Sequence, residues 1–408
     1  MTDKNSLRRL QLFNFKLNAL LEITQAINSN LPVDELLHRY QDILRQHLLI
    51  GRILIFKYQN GWDCILNSSD DPTVREIDIT EDLIPFPDIR FVTNSNNFHL
   101  RNYDFVIPVY NNNSPLAFIL IGDIEEEMSG VSPVIKHLHY IQTISNIIIV
   151  AIENIRLFNE SLKQEVFRKE LELASRMQNM LIPKKSTLPA NERILVRSYY
   201  QPHFEVGGDY FDYIEMGPDE FGFCVADVSG KGISAALLMS NFQAILRALF
   251  TKEIPLNVIV ERLNERVMSN ANYEKFITFF IARYNYQTHN LEYINAGHNP
   301  PVLYECVSKK FSLLTQGCVG LGMLDVIPCI QKGYFHVSEP VKILGYTDGL
   351  VEFINYQDLS DSTLQLEKEL DNIDSVEQNI ASIIEHHNIS ENNNDIFDDI
   401  TILGVQLF

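Results

Sequence analysis

The chain is poor in cysteine and in positive charge. Its five cysteines, Cys64, Cys224, Cys306, Cys318 and Cys329, are scattered, odd in number and never spaced as CxxC. That excludes zinc knuckles and a disulfide framework and points to a reducing compartment. Lysine and arginine number 33 against 53 aspartate and glutamate, for a net charge of −20. Such a balance disfavours nucleic acid and anionic membrane surfaces as partners and suits a protein that works with cations. Long hydrophobic runs are missing as well. The most apolar stretch, Ile147 to Ile152, stops at Glu153, far short of the ~20 residues that span a bilayer. The opening MTDKNSLRRL carries charge where a signal peptide is apolar. The expectation is a soluble, cytoplasmic chain with no nucleic-acid or membrane partner.

Several phosphate-handling signatures are also absent. Gly230-Lys231 hints at a P-loop, but Gly232 follows where Ser or Thr is needed, and Val225 stands where the first glycine belongs. No cysteine follows a histidine, so the thiolate phosphatase pattern is missing. Gly320-Leu321-Gly322 has Asp325 in place of the third glycine of a dinucleotide fingerprint.

What is present falls into three textures over 408 residues, enough for two or three domains. Residues 1–150 read as an α+β unit. FNFKLNALLEITQAINSNLPVDELLHRYQDILRQHL has helical apolar spacing broken at Asn30-Leu31-Pro32, with Asp34 as a candidate cap for the second helix. RILIFKY reads as a strand. FVIPVY, a turn at Asn111-Asn112-Asn113-Ser114, and LAFILIG read as a hairpin, with a further helix from near Val134. This element order and the VIPVYNNNSPLAFILIG hairpin resemble a GAF domain, a small sensory module with an antiparallel sheet and flanking helices. No cyclic-nucleotide motif of such modules is recognisable, and Cys64 reads as a small buried hydrophobe rather than a chromophore attachment.

Residues 151–187 read as a helical linker. Ile155, Phe158, Leu162, Val166, Leu173, Met177 and Met180 keep spacings of three, four or seven, slipping phase once near Val166. Residues 151–182 would span roughly 48 Å as a helix ending at Pro183. A helix of that kind pairs with a copy of itself as a coiled coil, giving a homodimer. A single helix lying along one domain is the alternative.

Residues 188–408 carry the chemistry. Asp209 follows Gly207-Gly208, Asp227 ends the strand FGFCVAD, Asp348 ends VKILGYTD, and Asp398-Asp399 precede ITILGVQL. One acid at a strand end is ordinarily a turn former or a cap. Four such sites in one domain are hard to explain that way. If they converge, like charges cannot all stay ionised without cations. Oxygen-only donors suit Mg²⁺ or Mn²⁺ and disfavour zinc, and two such ions ~3.5–4 Å apart form a hydrolytic clamp that activates water.

At this point the motifs YYQPHFEVGGDYFDYI, FCVADVSGKGISAALLMS, FITFFIARYN, LEYINAGHNPPVLY, ILGYTDGLVEF and DDITILGV resemble, in order, the SpoIIE/RsbU-type branch of the PPM (protein phosphatase 2C-like) serine/threonine phosphatases. The resemblance implies an αββα sandwich following the GAF-like module and linker, α+β overall, with a two-ion Mn²⁺ or Mg²⁺ site at one edge of the sheets. It implies Asp227 bridging both ions, the Val228 carbonyl as an extra ligand, Asp348 and Asp398 completing the site, and Asp209 as a ligand or an acceptor behind it. Asp398 is preferred to Asp399 as the first acid before the Ile-Thr pair, while spacing leaves Asp399 open. The eukaryotic enzymes have a histidine two residues after the bridging aspartate, where this chain has Ser229. His298 is open to two roles, acid for the leaving group or a ring bonded to its own turn. Lys231 either meets phosphate or is a solvated turn lysine, and Thr278 reads as core or as a neighbour behind the ligands. The activity implied is hydrolysis of phosphoserine or phosphothreonine on a small regulatory protein of the anti-anti-sigma (STAS) type, under control of the N-terminal module. A metal-free partner-binding domain of the same fold and a metal-dependent small-molecule phosphodiesterase are the rival readings.

Overall fold

A computed structural model describes residues 2–69, 74, 76–92, 98–112, 114–124, 133–271, 274–358, 362–389 and 397–408. The chain forms two compact units, Met1–Glu165 and Val166–Phe408.

In the first unit, helices α1 (Thr2–Asn28) and α2 (Val33–Leu48) are separated where Pro32 imposes extended backbone. Pro32, not Asp34, occupies the N-cap of α2, and no side chain caps it. Asp34 instead lies in the first turn, where its charge favours the helix dipole. The sheet is built from β1 (Ile50–Tyr58), β2 (Trp62–Asn67), β3 (Arg90–Phe91), β4 (Phe105–Asn111) and β5 (Ser114–Ile124) in the order β2-β1-β5-β4-β3, every pairing antiparallel. β4 and β5 form the expected hairpin, though Asn113 of its turn lies outside the described residues. Period-two alternation along β1 divides the cores. Ile53 and Ile55 pack with Leu36, Tyr40 and Ile148 from the helices, while Leu54 and Phe56 pack with Leu83, Leu100 and Tyr103 on the other face. A short helix, α3 (Ile79–Asp82), is capped by the Asp78 side chain. Cys64, expected to be buried, is exposed on β2, because this strand lies at the sheet edge.

Helix α4 (Pro133–Asn179) begins in this unit and buries Ile141, Ile144, Ile148, Ile149 and Ile152 against the sheet. Its segment Leu138–Asn179 is, by length and composition alone, long and apolar enough to cross a membrane, which the uninterrupted run at Ile147–Ile152 does not suggest; 44% of its most apolar window is buried within the protein. An ion pair fixes the register of α4. Lys57 of β1 is fully buried and donates to Glu153 at 2.5 Å, and Arg156 donates to the same carboxylate at 2.7 Å. These donors, Arg156 foremost, hold the Glu153 carboxyl below its usual range against the opposing effect of burial.

The second unit begins with the last turns of α4. The helix stops at Asn179, short of the expected Ile182. Met180 N–H bonds Met177 and Leu181 N–H bonds Gln178 in a tighter turn. Ile182 then inserts into the core, so the chain must leave the helix axis before Pro183 adds its own restriction.

One sheet comprises β7 (Tyr210–Glu215), β8 (Glu220–Val228), β9 (Ile277–Asn285), β10 (Asn290–Ala296) and β13 (Gly317–Cys318), with β14 (Gly333–His336) also on β10. The other runs β12 (Lys310–Leu313), β11 (Val302–Glu305), β15 (Val341–Tyr346), β16 (Ile400–Leu407) and β6 (Ile194–Gln201). The two face each other closely enough that a Cβ on Gly345 of β15 would meet Val225 of β8 at 3.0 Å. Helices α5 (Ile233–Leu249) and α6 (Leu256–Ala271) pack on the first sheet. Helices α7 (Asp348–Asp358), α8 (Ser362–Leu370) and α9 (Val376–His386) cover the second, so the layer order is helix–sheet–sheet–helix. α5 is anchored by Arg247, which donates to the buried Asp212 of β7 at 2.8 and 3.0 Å.

Removing one partner of a buried pair leaves an uncompensated charge. Glu153→Ala should therefore destabilise the first unit by about 3–5 kcal/mol, read as an earlier guanidinium transition. The Lys57→Met, Glu153→Leu double variant should recover most of the loss. Equal losses in the single and double variants would mean that packing, not charge, is what Glu153 contributes.

Candidate metal and active site

The acids arrive on separate elements at one edge of the facing sheets. Asp209 immediately precedes β7, Asp227 is the penultimate residue of β8 and opposes Thr278 of β9, Asp348 opens α7, and Asp398-Asp399 lead into β16. Apolar alternation along the strands buries their bodies and leaves these polar ends at the edge.

Asp209 is buried. Its Oδ2 accepts from Thr347 Oγ1 at 2.8 Å and Thr401 Oγ1 at 2.5 Å. Thr347 Oγ1 in turn accepts the Thr401 N–H at 3.0 Å, so the ends of β15 and β16 are cross-linked beneath the acid. Burial, then Asp227, then Asp399 push the Asp209 carboxyl well above the usual range despite those hydroxyls. Asp227 is pushed up to about 7, by burial first and then by Asp348 and Asp398, with a hydrogen bond to Asp209 opposing the shift. Asp348 reaches solvent but is raised too, by burial of part of its side chain, Asp398 and Glu352. The predicted acids are therefore electrostatic neighbours. The Val228 carbonyl also faces this place, since a Cβ on Gly208 would meet its oxygen at 3.0 Å.

Asp398 and Asp399 part company. Asp399 is buried and spends both oxygens on backbone, Oδ1 accepting His203 N–H at 2.7 Å and Oδ2 accepting Gly208 N–H at 2.6 Å. It organises the 203–209 loop. Asp398 is more open and accepts from Lys231 Nζ at 2.9 Å. Lys231, open in sequence to a phosphate contact or a solvated position, thus pairs with Asp398 and also donates to the Phe397 carbonyl. The loop that carries it has left-handed backbone at Gly230 and Gly232 (φ +83° and +76°), which an L side chain resists. Ser229 Oγ accepts the Phe276 N–H at 2.9 Å, and Lys275 Nζ donates to the Ser229 carbonyl at 2.8 Å, holding the loop on β9.

The donor chemistry fits a hard divalent cation: oxygen ligands only, at an edge where their own repulsion makes protons or cations welcome. Among the described residues, however, no three acidic, histidine or cysteine side chains converge as a ready-made chelating set. Lys231 draws on Asp398, and Thr347 and Thr401 hold Asp209 back.

Residues 217–408 match the family model of Stage II sporulation protein E (SpoIIE). The match begins after the Gly207-Gly208-Asp209 motif and takes in Asp227, Asp348, Asp398 and Asp399. The phosphoserine phosphatase RsbU of Bacillus subtilis (strain 168) is 29% identical over 189 residues, covering 46% of this chain and 55% of that protein. The phosphoserine phosphatase RsbP of the same organism is 26% identical over 189 residues, covering 45% of this chain and 46% of its own length. The chain thus spans about half the length of these curated relatives. Among solved structures, RsbX in complex with magnesium aligns with a TM-score of 0.44 at 20% identity, over 54% of this chain and 99% of that one.

His298 lies close behind the acids rather than among them. Its Nδ1 bonds Thr278 Oγ1 at 2.9 Å, its N–H bonds Asn295 Oδ1 at 2.8 Å, and it is buried. Burial pushes the imidazole down to about 4, only partly offset by the Tyr346 backbone. A ring that is neutral at pH 7 supports the role of orienting Thr278 opposite Asp227 over that of a proton donor. Sequence reading missed Tyr200, Gln178, Thr347 and Thr401 as members of the surround. The threonines stand inside the quoted motifs ILGYTDG and DDITILGV, but an alternating pattern does not reveal which hydroxyl turns toward an acid.

The depressed His298 pKa has a definite consequence. Below about 6.5 the unfolded chain binds a proton that the folded ring refuses until about 4, so this group's contribution is present above pH 6.5 and lost as pH falls. The loss should reach about 3 kcal/mol by pH 4. Denaturant titrations from pH 7 to 4 should show a shallower decline in His298→Asn than in the parent. Parallel declines would overturn the burial argument.

Proposed function

We propose that the second unit is a metal-dependent protein serine/threonine phosphatase acting on a phosphorylated regulatory protein. The observation that carries this reading is the gathering of Asp209, Asp227, Asp348 and Asp398 from four parts of the chain, the first three raised by burial and then by one another or by their acidic neighbours. A binding surface gains nothing from mutually repelling buried anions, whereas a hydrolytic site does. The similarity to two phosphoserine phosphatases supports the choice of substrate class.

Mg²⁺ or Mn²⁺, when bound, would supply Lewis-acid activation of water and neutralise phosphate charge. Asp227, Asp348 and Asp398 would hold the ions, with Asp209 beside Asp227 and the Val228 carbonyl as a further oxygen donor. Asp399 keeps the 203–209 loop in place through the His203 and Gly208 amides. Lys231, now on Asp398, can turn to a phosphate oxygen once Asp398 is otherwise neutralised. In this scheme water would form the new P–O bond as the bond from phosphorus to the serine or threonine oxygen breaks, one proton of the water ending on that leaving oxygen, and no side chain would become phosphorylated.

The first unit would act as a GAF-like sensor, with α4 as the connection and a homodimer as the working form. Phe158, Leu162, Val166, Leu173 and Met177 along α4, and Met180 just past its end, are all exposed, an apolar row that pairing with a second copy would cover. A cytoplasmic location accords with the acidic, cysteine-poor composition.

The decisive assay is the purified chain with Mn²⁺ or Mg²⁺ on a phosphoserine peptide and, in parallel, a generic phosphodiester. Monoester hydrolysis that disappears in Asp227→Asn and Asp348→Asn, with folding intact by circular dichroism, is expected; the loss should exceed a thousandfold. Preference for the diester would select the phosphodiesterase alternative. The parent's melting temperature should also rise with Mn²⁺, since an ion bound only by the folded state stabilises it by mass action. A melt indifferent to both metals would select the metal-free binding module.

Leu162→Glu and Leu173→Glu should each shift the chain toward monomer in sedimentation velocity at micromolar concentration, by placing a charge in the pairing face. A monomeric parent would remove the dimer from the proposal.

A further inference from the structure

Cys318 and Cys329 stand at the two ends of one loop in the second unit, and the fold brings those ends together. Cys318 is the last residue of β13, in parallel register with Ala296 of β10. The chain then leaves the sheet and returns so that the Gln331 N–H donates to the Gly317 carbonyl at 3.1 Å. That bond ties the residue before Cys318 to the residue two past Cys329. The two sulfurs feel each other: burial first, and then Cys329, push the Cys318 thiol up to about 11. The other cysteines lie elsewhere, Cys64 on β2, Cys224 buried in β8 and Cys306 just past β11.

The body of the loop is fixed independently of the thiols. Leu321 exchanges two backbone bonds with Ile277 of β9, at 2.8 and 2.9 Å. The buried Asn264 of α6 accepts the Gly322 N–H at 2.8 Å and donates to the Leu324 carbonyl at 3.0 Å. Ile327 and Ile330, on either side of Cys329, pack against the core, while Cys329 itself is exposed. Cys318 is half-buried against the same core. One thiol therefore meets solvent and the other lies behind it, at the neck of a loop whose far end is already pinned.

We propose that Cys318 and Cys329 are a reversible disulfide site, a redox clasp across the neck of the 317–331 loop. A scattered set of five cysteines builds no disulfide framework, but a single transient pair is the form protein disulfides take in a reducing compartment. The oxidant is hydrogen peroxide. Its O–O bond breaks as Cys329, the accessible sulfur, takes one oxygen to become a sulfenic acid, and the other oxygen leaves as water with the Cys329 proton. The Cys318 sulfur then attacks the Cys329 sulfur. The S–S bond forms, and the hydroxyl leaves with the Cys318 proton as a second water. Two thiols give up two electrons in all, and the peroxide gains them. A small thiol reverses the bond by exchange.

The test treats the reduced full chain with hydrogen peroxide and counts thiols after denaturation. Two of the five thiols should disappear together, and dithiothreitol should return them. Cys318 and Cys329 share one tryptic peptide, residues 311–332, which should become two hydrogens lighter and resist alkylation. Amide hydrogen exchange across residues 319–328 should slow several-fold. The melting temperature should rise by about 5 °C, because the bond removes chain entropy from the unfolded state. Cys318→Ser and Cys329→Ser should each abolish these changes, whereas Cys64→Ser, exposed in the first unit, should keep them. If Cys318→Ser does not fold, Cys329→Ser, at an exposed position, decides alone. Survival of both thiols under peroxide would overturn the proposal. So would a peptide that gains oxygen instead of losing hydrogen, or a disulfide-linked dimer, since in either case the two sulfurs do not meet within one chain.

Discussion

Carboxylates brought within reach of one another at the edge of two sheets repel, and the second unit is arranged around that repulsion. Four of the acids, Asp209, Asp227, Asp348 and Asp399, are pushed toward the protonated form, and burial is the largest cause for each. Several polar groups nearby contain the charge. Thr347 and Thr401 donate to Asp209, the His203 and Gly208 amides donate to Asp399, and Lys231 sits on Asp398. The fold tolerates this concentration because the strands behind it are anchored by an apolar core on both faces. Hydrogen bonds and one ammonium lower the cost of folding acids so close together, and a cation would have to compete with those same donors.

The adjacent acids before β16 show how the backbone divides similar residues into different tasks. Asp399 turns inward to the 203–209 loop, and Asp398 turns to the open edge beside Lys231. One neighbour builds the site and the other faces it. The contrast leaves Asp398 the more accessible of the two carboxylates, a difference of hydrogen bonding that spacing cannot supply.

Buried polar contacts tie α4 to its surroundings near its middle and at its C-terminal end. In the first unit Lys57 and Glu153 fix its register against β1, and in the second Gln178 fixes its end against Gly207. Between them the helix presents apolar residues to solvent.

Much of the architecture was legible in the sequence because the periodicities are local. Helical spacing broken at Pro32 marks α1 and α2, alternating runs mark the β4–β5 hairpin and β8, and acids at strand ends mark the candidate site. Where local signals misled, tertiary contacts had overridden them. Asp34 cedes the cap to Pro32, Cys64 is exposed because its strand is an edge, and α4 stops early because Ile182 is claimed by the core. The chain's residue types and their order determined that acids, glycines and short strands would meet in one domain. Only the folded structure decided which oxygen faces which partner: Asp398 outward and Asp399 inward, His298 neutral behind Thr278, and Gln178 on Gly207. Those choices depend on distances between residues far apart in the chain, and a one-dimensional pattern carries no such distances.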